Sequence, residues 1–199
     1  MTEKEKMLAG QLYDPADGGI MAAQTACAGY MKEYNTLALG DEARMAELLR
    51  SMLGAVGEGC FIQPPFFANW GGAHLYLGDA VYANANLTLV DDGNIRIGSH
   101  TMIGPNVTLA TASHPIDPAQ RRAGLQFNRD ITIGENVWIG AGAIILPGVT
   151  IGDNSVIGAG SLVNRDIPAN VVAVGNPCRV LREITPTDGM QQRETENEM

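Results

Sequence analysis

The stretch ITIGENVWIGAGAIILPGVTIGDNSVIGAGSLVNRDIP, residues 131–168, repeats one pattern every six residues. An aliphatic residue recurs at a single phase, at Ile133, Ile139, Ile145, Ile151, Ile157 and Val163. Glycine follows it in four of these six hexads. The fifth position is small or β-branched, at Val137, Ala143, Val149, Ser155, Ser161 and Ile167. Self-similarity at a fixed period indicates a repeat architecture.

The same phase continues upstream, at Leu77, Ala83, Leu89, Ile97, Ile103 and Leu109. A six-residue period suits a short strand followed by a bend, because side chains alternate along a strand and each bend turns the aliphatic toward one axis. Stacked turns then form a continuous core. The pattern therefore predicts a mainly β solenoid, and the alternative is a β-sandwich with coincidental spacing.

Two interruptions of the phase predict loops that leave the solenoid. Eight residues separate Leu89 from Ile97, with two extra residues in the segment 91–94. A longer gap before Ile133 contains residues 111–130, which include His114, two prolines and three arginines. Functional residues concentrate on loops held by a rigid scaffold, so this extruded loop is the first place to look for a site.

Residues 1–58 have a helical pattern. Thr2 and Glu5 match a capping box, and Asp41 precedes an apolar stripe at i, i+3, i+4, i+7 and i+8. The stripe comprises Met45, Leu48, Leu49, Met52 and Leu53. We therefore expect an N-terminal helical segment at 1–58, the β domain at 59–184 and a disordered acidic tail at 185–199.

Composition excludes several classes of function. The chain of 199 residues has a formal net charge of -9, which disfavours binding to nucleic acid or to an anionic membrane. No apolar run is long enough to cross a membrane, and the N-terminus lacks a secretory signal. The cysteines (Cys27, Cys60 and Cys178) are too far apart in sequence for a disulfide framework. A cytoplasmic protein is expected.

The motifs MLAGQLYD (7–14), YANANLTLVDD (82–92), SHPID (113–117) and VGNPCRVLREI (174–184), with the hexads, resemble the galactoside and maltose O-acetyltransferases among the hexapeptide-repeat acyltransferases. The resemblance implies a left-handed parallel β-helix and a homotrimer with active sites between subunits. It also implies acetyl transfer from acetyl-CoA to a sugar hydroxyl, without a metal or a covalent enzyme intermediate. The LTLVDD motif favours the galactoside branch over the maltose branch.

His114 is the predicted catalytic base, because a neutral imidazole can remove the proton of the attacking hydroxyl and the family motif places its histidine here. The resemblance suggests acceptor contacts at Asp14, Asp17, Asn69, Asn84, Asp92 and Trp138. Asp14 is favoured over Asp17. Asp91 is equally consistent with capping a corner. Gln126 is neutral where many relatives carry an acid.

Coenzyme A is a polyanion, so an acidic protein needs local cations to bind it. Arginine binds phosphate through two parallel hydrogen bonds. The family uses basic residues of the last coils, and of the segment that follows them, for this purpose. Small residues allow pantetheine to approach the wall, where a backbone amide can donate to the thioester oxygen. The predicted cofactor contacts are Ala141, Ala159, Arg165, Arg179 and Arg182.

Three alternatives stay open at this point. The first is a hexapeptide acetyltransferase with another acceptor, such as maltose, glucose, an antibiotic, serine or a nodulation-type glycan. The second is a zinc carbonic anhydrase on the same helix, which would need three converging histidines. His74 and His100 are instead interpreted as wall or surface residues. The third is a non-catalytic scaffold, which the presence of His114 disfavours.

Overall fold

The computed structural model describes residues 1–189, which form N-terminal helices and then a β-helix of parallel strands. The helices are α1 (Glu3–Leu8), α2 (Gly18–Tyr34) and α3 (Glu42–Met52). The Thr2–Glu5 capping box is confirmed, with Glu5 N donating to Thr2 Oγ1 at 3.2 Å. Asp41 occupies the N-cap of α3, but its carboxylate accepts from Ala38 N at 3.0 Å and caps no helical amide.

The β-helix has three strands in each coil. The first three coils contain β1 (Ala55–Val56), β2 (Phe61–Ile62), β3 (Phe66–Ala68), β4 (Leu75–Leu77), β5 (Tyr82–Ala83), β6 (Leu87–Val90), β7 (Ile95–Ile97), β8 (Met102–Ile103) and β9 (Thr108–Ala110). After the predicted loop, two more coils contain β12 (Ile131–Ile133), β13 (Trp138–Ile139), β14 (Ile144–Ile145), β15 (Thr150–Ile151), β16 (Val156–Ile157) and β17 (Leu162–Val163). The first coil begins slightly before the predicted boundary at 59.

The extruded loop is confirmed between β9 and β12. It is not irregular throughout, because it contains β10 (Ala112–Ser113), α4 (Pro118–Arg122) and β11 (Phe127–Asn128). Beyond the last complete coil, β18 (Val171–Val174) pairs with β19 (Arg179–Glu183) in antiparallel fashion. Residues 185–189 of the predicted tail contain a 3-10 turn at Pro186–Asp188. The prediction of disorder at 190–199 lies outside the described residues.

Each strand of a coil pairs with the corresponding strand of the next coil, which produces a first, a second and a third sheet. The register aligns the hexads, since Leu77 pairs with Ile97, Ile97 with Ile133 and Ile133 with Ile151. All these side chains are buried. The serines predicted at the fifth position are buried as well, at Ser155 and Ser161. The six-residue pattern is therefore the core itself.

Three corners join the sheets. The first corner precedes the second sheet, the second corner precedes the third sheet, and the third corner returns the chain to the next coil. Asparagines adopt positive φ at the first two corners and stack on one another. Asn136 donates to Asn154 at 2.9 Å, and Asn154 donates to Asn170 at 3.1 Å. Asparagine tolerates this conformation and also bonds to the same residue type in the next coil.

The hexad glycines have a different function from the corner residues. They lie where the next coil passes closest, and an added Cβ would be 2.4–2.8 Å from a backbone atom at Gly98, Gly104, Gly134, Gly140 and Gly152. None of these five has positive φ. Much of the glycine excess, 24 residues in 199, therefore reflects close stacking between coils and not only the conformation of corners.

Replacement of Gly140 by alanine should destabilise the coil stack, because the new Cβ would be 2.5 Å from the backbone nitrogen of Ala159. We expect a loss of about 1–3 kcal/mol in the free energy of unfolding, measured with urea. Gly29→Ala is the matched control, since Gly29 lies in α2 with open space around it and should gain about 0.5–1 kcal/mol. Equal stability of the two variants would contradict the packing argument.

Candidate functional site

The extruded loop begins and ends at the third corner. Its two strands pair in antiparallel fashion, with Ala112 opposite Asn128 and Ser113 opposite Phe127. His114 follows this ladder directly and is exposed. Together with Ser113, it faces a groove that continues over residues of the later coils, namely Leu146, Pro147 and Asn164.

The hydrogen bond of His114 determines which ring nitrogen is available. Nδ1 lies 2.9 Å from the carbonyl oxygen of Leu125. A carbonyl oxygen can only accept, so Nδ1 carries a proton, and Nε2 of the neutral ring keeps its lone pair. Nε2 is thus the atom that can take a proton from a bound hydroxyl. This is the arrangement that a general base requires.

The N-terminal segment holds the extruded loop in place through contacts with Gln126 and Asn128. Tyr13 and Gln126 form a backbone bridge in which each amide donates to the other residue's carbonyl. The Gln126 side chain donates to the Tyr13 hydroxyl, which donates to Asn128 Oδ1 at 3.4 Å. Burial raises the pKa of Tyr13 to about 12, so the phenol stays protonated. Because Gln126 adjoins Leu125, this buried network fixes the carbonyl that holds His114.

Asp92 and Asn69 lie together beneath the same loop. The Asp92 carboxylate accepts from Asn69 Nδ2 at 3.0 Å and from Trp70 Nε1 at 3.3 Å, and the Asp92 carbonyl accepts from Asn128 Nδ2 at 3.0 Å. Asp92 is only 6% exposed, whereas Asn69 is exposed. Of the two, Asn69 is better placed to meet a ligand, and Asp92 orients it.

The hydrogen bonds of Asp91 favour the interpretation that this residue caps a corner. Its carboxylate is fully buried and accepts from the backbone amides of Trp70 at 2.8 Å and Gly72 at 3.1 Å. Burial raises the pKa of this carboxyl above its ordinary value, although the hydrogen bond from the Trp70 amide favours the ionised form. Asp91 therefore secures the turn after β3.

Asp14 and Asp17 both make local hydrogen bonds. Asp17 caps α2, with Gly19 N and Ile20 N donating to its carboxylate at 3.0 and 3.2 Å. Asp14 Oδ1 accepts from Ala16 N at 2.9 Å. Asp14 also follows Tyr13, the residue bridged to Gln126, so it lies on the His114 side of the molecule. Contact of either aspartate with an acceptor stays a prediction.

A second group of predicted residues lies elsewhere on the β-helix. Asn84, Ala141 and Ala159 lie at the second corner, and Ala141 and Ala159 are exposed. The carboxamide oxygen of Asn84 accepts from Ala85 N at 2.7 Å. Trp138 points outward from the second sheet and is 54% exposed. Its neighbours in register on this face are also hydrophobic: Tyr82, Met102 and Val156.

The three arginines that are predicted to contact CoA differ in their environments. Arg165 is exposed. Arg179 Nη1 donates to Asn164 Oδ1 at 3.3 Å and to the carbonyl of Cys178 at 2.6 Å. Arg182 pairs with Asp188 at 2.6 Å, and its guanidinium holds the pKa of that carboxyl well below its usual range. A phosphate would therefore have to compete with Asp188 for Arg182.

The two groups lie on either side of the third sheet. The loop with His114 follows a strand of the third sheet, whereas Asn84 and Ala141 lie at the corner that precedes this sheet. Strands of the third sheet have two to four residues, so its width is roughly 7–13 Å. His114 and Asn84 consequently lie at opposite edges of that sheet.

The structure also bears on metals and membranes. Among residues 1–189, no group of three or more His, Cys, Asp or Glu side chains is arranged to hold a metal ion. His74 Nδ1 contacts the Asp91 carbonyl at 2.6 Å, and His100 lies exposed at the first corner with φ of 61°. Within the same residues, no helix combines the length and hydrophobicity needed to span a bilayer.

Sequence reasoning missed several residues near His114. Tyr13, Trp70 and Asn128 complete the buried network, and Arg129 lines the groove. Tyr13 stands within the motif MLAGQLYD quoted above, and Trp70 directly follows Asn69. No sequence signal pairs Tyr13 with Gln126, because the contact joins segments more than a hundred residues apart.

Comparisons with known proteins agree on one family. The model described as "Bacterial transferase hexapeptide (six repeats)" matches residues 130–165, and "Maltose acetyltransferase hexapeptide capping motif" matches residues 6–57. The galactoside O-acetyltransferase of Lactococcus lactis is 51% identical over 89% of this chain and 86% of its own. Nodulation protein L of Rhizobium leguminosarum is 52% identical over 90% of this chain and 94% of its own.

A solved structure, galactoside acetyltransferase in complex with coenzyme A, superposes with a TM-score of 0.90 at 43% identity. The alignment covers 94% of each chain. The expected fold class, a left-handed parallel β-helix with hexapeptide repeats, is confirmed. The chain belongs to the hexapeptide-repeat sugar O-acetyltransferases, the family of the galactoside and maltose O-acetyltransferases.

Proposed function

We propose that this protein transfers the acetyl group of acetyl-CoA to a hydroxyl of a sugar, with a galactoside as the favoured acceptor, in the cytoplasm. The observation that carries the proposal is the hydrogen bond from His114 Nδ1 to the Leu125 carbonyl, which in a neutral ring leaves the lone pair on Nε2. His114 itself lines the groove. A relative of the same fold is described in complex with coenzyme A, which supports acetyl-CoA as the donor.

His114 acts as general base and then as general acid. Nε2 takes the proton of the sugar hydroxyl while the hydroxyl oxygen attacks the acetyl carbonyl carbon. The resulting tetrahedral oxyanion collapses as the carbon–sulfur bond breaks. The CoA thiolate takes the proton back from the imidazolium, so the enzyme returns to its starting state. No step in this sequence uses a metal or an acyl-enzyme.

The oxyanion and the acceptor need donors that His114 cannot supply. Asn84 is suited to this purpose because its carboxamide nitrogen is uncommitted among the described hydrogen bonds. The backbone amide of Ala141 lies at the same corner. On the His114 side, we propose that Asn69 and Asp14 contact sugar hydroxyls, with Asn69 held by its hydrogen bond to Asp92. Asp17 is a weaker candidate because it already caps α2.

We further propose a homotrimer in which each active site lies between two subunits. The support is the separation of His114 from Asn84 and Ala141 across the third sheet, together with the exposed hydrophobic row on the second sheet. That row, Tyr82, Met102 and Trp138, would be buried against the neighbouring subunit's loop. Trp138 would then pack beside the partner copy's histidine and the bound acceptor.

The donor would also touch both subunits. Arg165 and Arg179 lie where the groove from His114 ends, and they would contact the phosphates of CoA. Ala141 and Ala159 of the neighbouring copy would border the pantetheine arm. Arg182 is the least available cation, since Asp188 already neutralises it.

A different acceptor is the second candidate. Nodulation protein L of Rhizobium leguminosarum is as similar to this chain as the galactoside enzyme is, at 52% against 51% identity. A panel of galactosides, glucosides, maltose and a nodulation-type glycan, each tested with acetyl-CoA, discriminates among them. Exclusive turnover of the glycan would replace the galactoside assignment.

His114→Ala should lower turnover by roughly 10²–10⁴-fold, because the variant lacks the base and leaves the sugar hydroxyl protonated. Release of CoA, measured with a thiol reagent, gives the rate. The melting temperature should change little, since the side chain is exposed and the variant loses only its hydrogen bond to the Leu125 carbonyl. Turnover near that of the unmodified protein would contradict the mechanism.

Two inactive variants should complement each other if the site is shared. His114→Ala and Asn84→Ala would each be nearly inactive alone, and co-expression would let them assemble together. In a cyclic trimer with random mixing, about a quarter of the interfaces would pair an intact His114 with an intact Asn84. Activity near a quarter of the unmodified level is expected. A mixture no more active than its parts would contradict a shared site.

Removal of metal should leave turnover unchanged, because every proposed step is carried by side chains and backbone amides. The measurement is the rate of CoA release before and after dialysis against EDTA. A loss of activity that added zinc restores would contradict the proposed mechanism.

A further inference from the structure

Arg129 is a conspicuous cation of the His114 groove that the proposed mechanism leaves unused. It is exposed at the end of β11, and its backbone amide donates to the Thr111 carbonyl at 2.9 Å. Among residues 1–189, no acid lies within ion-pair distance of its guanidinium and no side-chain hydrogen bond uses it. In a chain of net charge -9, such an unpaired cation beside a groove is suited to bind an anionic or polar ligand.

The side chain is nevertheless held in place. Its guanidinium carbon lies 5.7 Å from the centroid of the Phe127 ring, the neighbouring side chain on the same face of the strand. Its aliphatic portion packs against Gly148, where an added Cβ would be 3.1 Å from Arg129 Cδ. Stacking on an aromatic ring and packing on a glycine reduce the entropy that the guanidinium loses on binding.

The position of Arg129 indicates which part of the donor it meets. Arg129 lies opposite Thr111. His114 is three residues further along that segment, which separates the backbones of His114 and Arg129 by about 10 Å at strand spacing. The groove continues from both residues past Leu146 and Pro147 to Asn164, the residue that Arg179 contacts. Arg129 therefore lies between the reacting thioester and the proposed phosphate-binding arginines.

We infer that Arg129 is a donor-positioning residue, whose guanidinium donates hydrogen bonds to an amide carbonyl of the pantetheine arm of acetyl-CoA. The arm carries two amides between its sulfur and the diphosphate, so a residue that lies between the thioester and the phosphate-binding arginines faces these amides. The apolar wall of Leu146, Pro147 and Phe127 suits the hydrocarbon of the arm. This inference rests on the proposed use of acetyl-CoA.

The test compares acetyl-CoA with S-acetylpantetheine, which has the same arm without phosphates. Arg129→Gln should raise KM about 10-fold or more for both donors, the effect of a lost hydrogen bond to a charged group. Its kcat at saturating donor should change little, because Arg129 is remote from the transferred proton. Arg129→Lys, which keeps the charge but not the planar fork, should give an intermediate KM.

Two other arginines serve as controls. Arg179→Gln should raise KM for acetyl-CoA alone, since its proposed partner is a phosphate. Arg122→Gln removes an exposed cation from α4 in the same loop and should change neither KM. For Arg129→Gln, an effect on acetyl-CoA alone, on the sugar KM alone, or on neither donor would each overturn the inference.

Failure of the inference is distinguishable from failure of the proposed function. Calorimetric titration with CoA and with pantetheine measures donor binding without any acetyl transfer. If the unmodified protein bound neither compound, the proposed function would fail. If it bound both and Arg129→Gln bound them equally well, only the assignment of Arg129 would fail.

Discussion

Close stacking of successive coils is the constraint on which the rest of this structure depends. The backbone of one coil passes so near the next that the second position of many hexads has no room for a Cβ atom, as at Gly104 and Gly140. That proximity aligns the aliphatic residues in vertical rows and lets the parallel ladders form. Bulky residues are therefore confined to the interior rows, the outer faces and the corners.

A scaffold this regular can position an irregular segment accurately. The extruded loop is anchored at both ends to the third corner, and its strands pair with each other. The helical segment adds a second constraint through the Tyr13–Gln126 bridge, next to the carbonyl that accepts from His114. The N-terminal segment is thus part of the structure that supports the proposed base, in addition to covering one end of the β-helix.

Under the proposed homotrimer, the division of site residues across the third sheet would give assembly a chemical role. His114 and the groove with Arg129 lie at one edge, and Asn84, Ala141 and Ala159 lie at the other. Each chain supplies half of two different sites under the proposed arrangement. Activity would then depend on oligomerisation even though the monomer has a complete hydrophobic core.

The sequence by itself determined the repeat, its core rows, the place of the loop and the histidine on it. These are local properties, because a period of six and a break in that period can be read from neighbouring residues. Sequence could not decide that Asp91 caps a turn while Asp92 orients Asn69, since adjacent residues of one type look alike until their partners are known.

Only the tertiary structure decided which ring nitrogen of His114 carries the proton, and that Tyr13 lies beneath its loop. It also revealed Arg129 beside the groove and showed that Asp188 pairs with Arg182. All four depend on contacts that form only when the chain folds, and the six-residue pattern carries no information about such contacts. Hydrogen-bond partners and distances are properties of the folded chain, and they turn a regular spacing of strands into a specific chemical site.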